Sequence, residues 1–308
     1  MSNFSIIIPC LNEEVNIKKI FIEIKKNLSR YKSYRLIYID DGSTDNTWRE
    51  IVKLKNKYKN LCGIKLSRNF GKENAITAGI NQIKKKEKFC IVIDSDLQHP
   101  VEKIDELIKL WKKGYSVINT HRIDNNEGIF REIFSTIFYF LIKKFSNINY
   151  NFKTTDFMLI DQKVITKYKK MKEKNKSFRT LINWMGFQKK SIPIIIYKRL
   201  HGSSKFNTMN LIKFAINSIS SFSIIPLKLI GYLGLLMMFI SFSFLTTSIL
   251  INFFHLNYIT LQTLIIIFNT LMTGTILTSI GFIGIYLSKT LDNTSSRPDY
   301  IIDKLFEK

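Results

Sequence analysis

Phe89-Cys-Ile-Val-Ile-Asp-Ser-Asp-Leu-Gln-His-Pro100 decides how this chain is read. An unbroken apolar run gives way to two carboxylates one residue apart, and a proline closes the stretch. A strand apolar on both faces belongs in a sheet covered on both sides. Two carboxylates at this spacing, at the end of a buried strand, are able to share one hard divalent ion through oxygen ligands.

The same pattern recurs outward from this point. Phe4–Ile8 runs into Pro9-Cys-Leu-Asn-Glu-Glu14, and Arg35–Ile39 runs into Asp40-Asp-Gly-Ser-Thr-Asp45. Gly63–Leu66 and Tyr115–Asn119 are further strand segments, and Glu13–Leu28, Asp45–Lys57, Lys72–Lys84 and Pro100–Trp111 have helical spacing. Strands alternating with amphipathic helices predict an α/β fold with a mostly parallel sheet and helices on both faces. Ligands of such sheets bind beyond the carboxyl ends of the strands. Each acidic piece also has an ordinary explanation. Asp45 serves as a helix N-cap with Gly42 turning the chain, and Asp94 or Asp96 caps the helix from Pro100. Their joint occurrence at successive strand ends favours a cation or ribose site.

Hydrophobic residues make up 45% of the 308, so the chain has enough apolar surface for a core. The formal charge of +23 fits a lysine-rich solvated surface or attraction to an anionic membrane, where each basic group contributes roughly 1 kcal/mol. No basic stripe with interleaved aromatics is present and no nucleic-acid motif matches, so nucleic acid is not an expected partner. Cys10, Cys62 and Cys90 sit in apolar runs without a CxxC pair and read as buried free thiols of a reducing compartment. The chain starts on strand-like FSIIIPC, without the pattern of a signal peptide.

Ile230–Phe254 and Leu261–Ser288 carry no charge, and each is long enough to cross ~30 Å of hydrocarbon. Their polar relief is mainly Ser, Thr, Asn and Gly, which membrane helices tolerate; Gly274, Gly281 and Gly284 leave room for a homo-oligomer. The link His255-Leu-Asn-Tyr-Ile-Thr260 has no Lys or Arg. The flanks carry Lys205, Lys213 and Lys228 before, and Lys289, Arg297, Lys304 and Lys308 after. The positive-inside rule then predicts a hairpin with both chain ends in the cytoplasm. The expected organisation is a cytoplasmic domain over 1–207, amphipathic interface helices over 208–227, two spans within 228–288, and a cytoplasmic tail over 289–308.

No GxxxxGK[ST] loop, no GxGxxG after a strand, no Ser-His-Asp set and no His/Cys zinc cluster is present; the four histidines lie in unrelated settings. The ordered motifs IIPCLNEE (7–14), DDGSTDNT (40–47), LSRNFGKENAITAGI (66–80) and DSDLQHP (94–100) resemble family 2 glycosyltransferases of the nucleotide-sugar-binding (GT-A) fold. TTDFMLID (154–161), FRTLINWMGF (178–187), YKRLHGSSKF (197–206) and SFSIIPLKL (221–229) resemble the polyprenyl-phosphate branch of that family, which includes dolichol-phosphate mannose synthase and undecaprenyl-phosphate glucosyltransferases. The resemblance covers nearly the whole chain.

It implies inverting transfer of a sugar from a nucleotide-sugar, by preference a UDP-hexose, to polyprenyl phosphate at the cytoplasmic face of the plasma membrane. GDP-mannose is the alternative donor. It also implies Mg²⁺ or Mn²⁺ as cofactor. By the same resemblance Pro9, Leu11, Glu13 and Asp41 line the base and ribose pocket. Asp94, Asp96 and Gln98 meet the diphosphate and metal, and Arg122, Arg199 and Lys205 contact the donor phosphates. Arg131 and Ser135 hold the lipid phosphate, and Asp156 stands near the acceptor, where the family places a base. Arg131 and Ser135 at i, i+4 share a helix face, a sensible phosphate clamp. Arg199 and Lys205 flank Gly202-Ser-Ser, a candidate closing loop. A phosphate monoester has its second pKa near 6, so the acceptor is already largely ionised at neutral pH and Asp156 is expected to orient it or to balance charge. A processive polysaccharide synthase would carry a Gln-x-x-Arg-Trp motif and more spans, and neither is present. A catalytically inactive membrane scaffold is the reading from another class.

Overall fold

Four apolar runs form parallel strands: β1 (Phe4–Cys10), β2 (Tyr34–Asp40), β3 (Leu61–Leu66) and β4 (Phe89–Val92). The computed structural model describes residues 4–123 except 32, 154–197 except 172 and 174–176, isolated positions between 232 and 250, and 261–306. The chain divides into two compact units. One comprises Met1–Ser135, Ile148–Ser204 and Ser296–Lys308; the other comprises Thr136–Asn147 and Lys205–Ser295.

The first unit holds an eight-stranded sheet. β5 (Val117–Arg122), β6 (Thr154–Asp161), β7 (Lys189–Ile194) and β8 (Ile302–Phe306) complete it in the order β7-β5-β6-β4-β1-β2-β3-β8. β6 runs antiparallel to β4 and β5, and β8 runs antiparallel to β3. The other strands share one direction, so the sheet is mostly parallel, as the sequence predicts. Helices α1 (Glu14–Asn27), α2 (Thr47–Lys57), α3 (Lys72–Asn81) and α4 (Ile104–Lys112) follow the first four strands, α4 through a 3-10 turn at Val101–Lys103. α5 (Gln162–Lys170) and α6 (Phe178–Trp184) lie between β6 and β7.

Helical spacing explains the packing. α1 buries Ile17, Ile20, Phe21 and Ile24 at i, i+3, i+4 and i+7, and α4 buries Ile104, Leu107 and Ile108. Each such side chain contributes about 1.5–3 kcal/mol of burial, offset by the entropy of ordering it. α3 buries the run Asn74–Ile80 on nearly every face. Its Gly79 allows this: a Cβ there would stand 2.7 Å from Ile7 Cγ2 on β1.

Register positions the site. In the parallel ladder Cys10 pairs with Asp40 and Ile7 with Val92, so β1, β2 and β4 end on one edge. In the antiparallel ladder Val92 pairs with Met158. Asp94 lies two residues beyond Val92 and Asp156 two residues before Met158, so strand reversal brings them to that same edge.

β8 is an addition to the sequence reading, which leaves 289–308 as a tail. Its register with β3 runs from Gly63↔Phe306 to Leu66↔Ile302. Phe306 stacks on Trp48 at 5.5 Å between ring centroids, and Asn81 Nδ2 donates to Tyr300 Oη at 2.8 Å. In the second unit, α7 (Leu261–Thr294) contains Leu264–Ser288, the one helix among the described residues long and apolar enough to cross a membrane. The first expected span and the interface helices lie outside the described residues, apart from isolated helical positions between Tyr232 and Leu250.

Candidate active site

The loops after β1 and β2 are laced together. Asn12, at φ 56, donates its N–H to Ser43 Oγ at 2.9 Å and accepts the Thr44 N–H at 2.9 Å. Asparagine tolerates that left-handed backbone better than most residues. Glu13 N–H donates to Thr47 Oγ1 at 2.7 Å, and the Glu13 carboxylate accepts Asn16 Nδ2 at 2.6 Å. Asp45 accepts the N–H groups of Glu14 at 3.2 Å and Thr47 at 2.9 Å, so it ties α2 to α1 as well as capping locally. Pro9 is buried in β1, and Leu11 and Glu13 are half-buried at its end.

Asp41 faces the β3–α3 loop. Its carboxylate accepts Phe70 N–H at 2.8 Å and Gly71 N–H at 3.0 Å. Burial pushes its pKa up, and the two N–H groups work against that. Gly42 beside it has φ 70, and a Cβ there would stand 2.3 Å from the Arg68 carbonyl carbon. The loop is therefore seated on the β2 end, and Gly71 opens α3 at φ 92. Lys72 and Glu73 follow in the first turn.

A charged centre forms where α3, β4, β6 and α6 meet. Lys72 Nζ lies 2.6 Å from Asp94 Oδ1 and 2.6 Å from Asp156 Oδ2. Arg179 Nε lies 2.7 Å from Asp156 Oδ1. Burial raises the Asp156 pKa, but Lys72 and Arg179 outweigh it and lower the group to about 2. Burial also opposes the Lys72 charge, and Asp94 and Asp156 overcome this and raise its pKa. Glu73 accepts the Phe178 N–H at 2.7 Å; burial, with the Asp156 charge second, raises it to about 7.

Asp94, Asp96 and His99 bring one ligand atom each within 4.8 Å of one another. His99 is buried, its pKa is lowered by burial, and its Nδ1 lacks a hydrogen-bond partner among the described residues. The two carboxylates suit a hard divalent ion, and the imidazole stands close enough to add a third ligand. Gln98 sits beside them: its N–H donates to Asp96 Oδ1 at 3.2 Å and its side chain to the Tyr197 carbonyl at 3.4 Å. Leu97 takes φ 59, a strained backbone for a bulky residue, at the turn between them.

Of the residues expected from sequence, Pro9, Leu11, Glu13, Asp41, Asp94, Asp96, Gln98 and Asp156 lie at the carboxyl edge of the sheet. Arg122 ends β5 and is exposed. Arg131, Ser135, Arg199 and Lys205 lie outside the described residues. Sequence reasoning misses Lys72, Glu73, Arg179 and His99. His99 stands inside the opening stretch, so its nearness to Asp94 and Asp96 was available.

The model of the glycosyl transferase family 2 matches residues 5–169. A glycosyltransferase of Bacillus subtilis, YkcC, is 33% identical over 98% of this chain and 94% of its own length. The bactoprenol glucosyl transferase of Shigella phage SfII is 30% identical over 97% of both chains. Among solved structures, glucosyl-3-phosphoglycerate synthase from Mycobacterium tuberculosis, in complex with Mn²⁺, UDP and glucosyl-3-phosphoglycerate, superposes with a TM-score of 0.52 at 14% identity, covering 71% of this chain and 78% of that one. That likeness concerns the fold.

Proposed function

The chain belongs to glycosyl transferase family 2, and from that membership we propose that it transfers a hexose from a UDP-sugar to a polyprenyl phosphate, with inversion, at the cytoplasmic face of the membrane. It is a glycosyltransferase; acceptor, donor and membrane face are the proposal. The observation that carries it is the meeting of Asp94 and Asp156 around Lys72 at the strand ends, where donor and acceptor must approach each other. Similarity to a bactoprenol glucosyl transferase along nearly the full chain supports the lipid acceptor.

The residues divide the work. Pro9, Leu11, Glu13 and Asp41 form the base and ribose side. Asp94, Asp96 and Gln98 would hold the divalent ion, and His99 stands close enough to join them. Bound there, the ion supplies positive charge against the departing diphosphate. Arg122, Arg199 and Lys205 are assigned to the donor phosphates, and Arg131 and Ser135 to the lipid phosphate. Asp156 orients the acceptor. Its carboxyl, at about 2, is a weak base, and the acceptor phosphate needs no base at neutral pH. Holding both reactants at one edge supplies proximity.

Chain topology supports an even number of membrane crossings. β8 pairs with β3, so the chain after α7 returns to the sheet. If Leu264–Ser288 spans the bilayer, a second crossing must precede it, and uncharged 230–254 is the segment long enough. The basic flanks favour the cytoplasm for that side.

The test uses purified full-length chain with undecaprenyl phosphate, Mg²⁺ or Mn²⁺ and a panel of radiolabelled nucleotide-sugars. A UDP-hexose should give an organic-soluble sugar phospholipid. Product only from GDP-mannose would move the donor, and no lipid product from any donor would overturn the reading.

A further inference from the structure

Lys72 occupies a position that helix physics disfavours. It is the first residue of α3, where unpaired N–H groups and the helix dipole favour anions. Two carboxylates offset this. The ammonium stands 2.6 Å from an oxygen of Asp94 and 2.6 Å from an oxygen of Asp156, residues that reach the edge from different strands. The helix start is fixed from beneath, since Asp41 accepts the N–H groups of Phe70 and Gly71 just before it. The next residue, Glu73, accepts the first N–H of α6, and α6 carries Arg179 to the other Asp156 oxygen. The start of α3 and the two residues before it thus meet the loops after β2 and β4, strand β6 and helix α6.

We propose that Lys72 is the positioning residue that joins the two halves of the site, its ammonium serving as the resident cation between Asp94 and Asp156 and setting how strongly Asp94, with Asp96, attracts a divalent ion. The proposal rests on the donor and acceptor roles given above to those two acids. It makes Lys72 act through Asp156 on the acceptor and compete for Asp94 against a metal. About two-fifths of the side chain is open to solvent, so replacing it does not open a core cavity.

The experiment titrates full-length protein in detergent with Mn²⁺ alone, read by electron paramagnetic resonance, for wild type, Lys72→Met and Lys72→Arg. Removing a cation beside two carboxylates should tighten Mn²⁺ binding at least about 5-fold in Lys72→Met, a figure already discounted for solvent screening, with Lys72→Arg near wild type. In turnover, Lys72→Met should lower kcat at least about 10-fold and leave KM for the donor within about 3-fold. Unchanged or weaker Mn²⁺ binding by Lys72→Met with a wild-type melting curve overturns the proposal, and so does unchanged kcat. If Lys72→Met fails to fold, Lys72→Gln is read by the same criteria. The Mn²⁺ titration needs no acceptor. Tighter binding in Lys72→Met together with a wild type that makes no lipid-linked sugar would sink the acceptor reading and leave Lys72 its place.

Discussion

Asp156 and Arg179 meet at 2.7 Å through Oδ1 and Nε, and Lys72 takes the other oxygen, so each oxygen of that carboxylate has its own cation. This carboxylate is built to stay ionised. Asp156→Asn should lose on the order of 10²-fold or more in turnover, because it removes the negative charge that holds Lys72 and Arg179 together beside the reacting groups. Raising the pH from 7 to 9 should restore nothing. A pH–rate profile of the variant checks this, and recovery at alkaline pH would mean that Asp156 acts as a base. The same group gives an acid-stability signature. Its folded pKa lies below the unfolded one, so its contribution is present above about 3.8 and lost as pH falls toward about 2. Acid unfolding of Asp156→Asn should lack that component.

Glu73 carries the opposite sign. Its carboxyl is raised to about 7, so the folded chain binds more protons than the unfolded chain between about 4.5 and 7. Stability therefore falls with rising pH across that window. Glu73→Gln keeps an oxygen for the Phe178 N–H and removes the titration. The variant should gain roughly 1–3 kcal/mol over wild type on going from pH 4.5 to pH 8. Melting curves across this range measure it; a constant difference between the two proteins would contradict it.

Gly42→Ala should destabilise the protein by about 2 kcal/mol or more, through left-handed strain and a clash with the Arg68 backbone together. Because the displaced loop carries Phe70 and Gly71 off Asp41, nucleotide affinity should fall as well. Chemical denaturation and UDP titration read the two effects, and a neutral substitution would contradict the seating of that loop.

Phe306→Ala should cost about 1 kcal/mol or slightly more, from loss of the Trp48 stack and some burial. Removing residues 299–308 should do more. It strips β8 from β3, exposes a strand edge, and should lower the melting temperature and increase light scattering. A truncated chain as stable and monodisperse as the full one would show that β8 contributes nothing.

Much of this is legible in the sequence where the signal is local. β1 to β4 are apolar runs bounded by acidic turns, and Asp94 and Asp96 declare themselves by spacing. Non-local pairing hides the rest. Nothing near Asp156 in the chain says that its strand runs antiparallel to β4, yet that direction alone brings it to Asp94. Lys72 has no contrast in a chain with 47 Lys and Arg, and its meaning appears only when two distant carboxylates flank it. β8 is five residues long and mostly exposed, and Ile302-Asp-Lys-Leu-Phe306 does not alternate, so it lacks the period that marks a strand.

The most direct measurement compares wild type with Asp94→Asn and Asp96→Asn for radiolabelled hexose transfer from UDP-hexose to undecaprenyl phosphate in the presence of Mn²⁺. Wild type should give labelled lipid, and each variant should lose activity on the order of 10²-fold or more with the fold retained. Wild-type rates from either variant, or no labelled lipid from wild type, would contradict it.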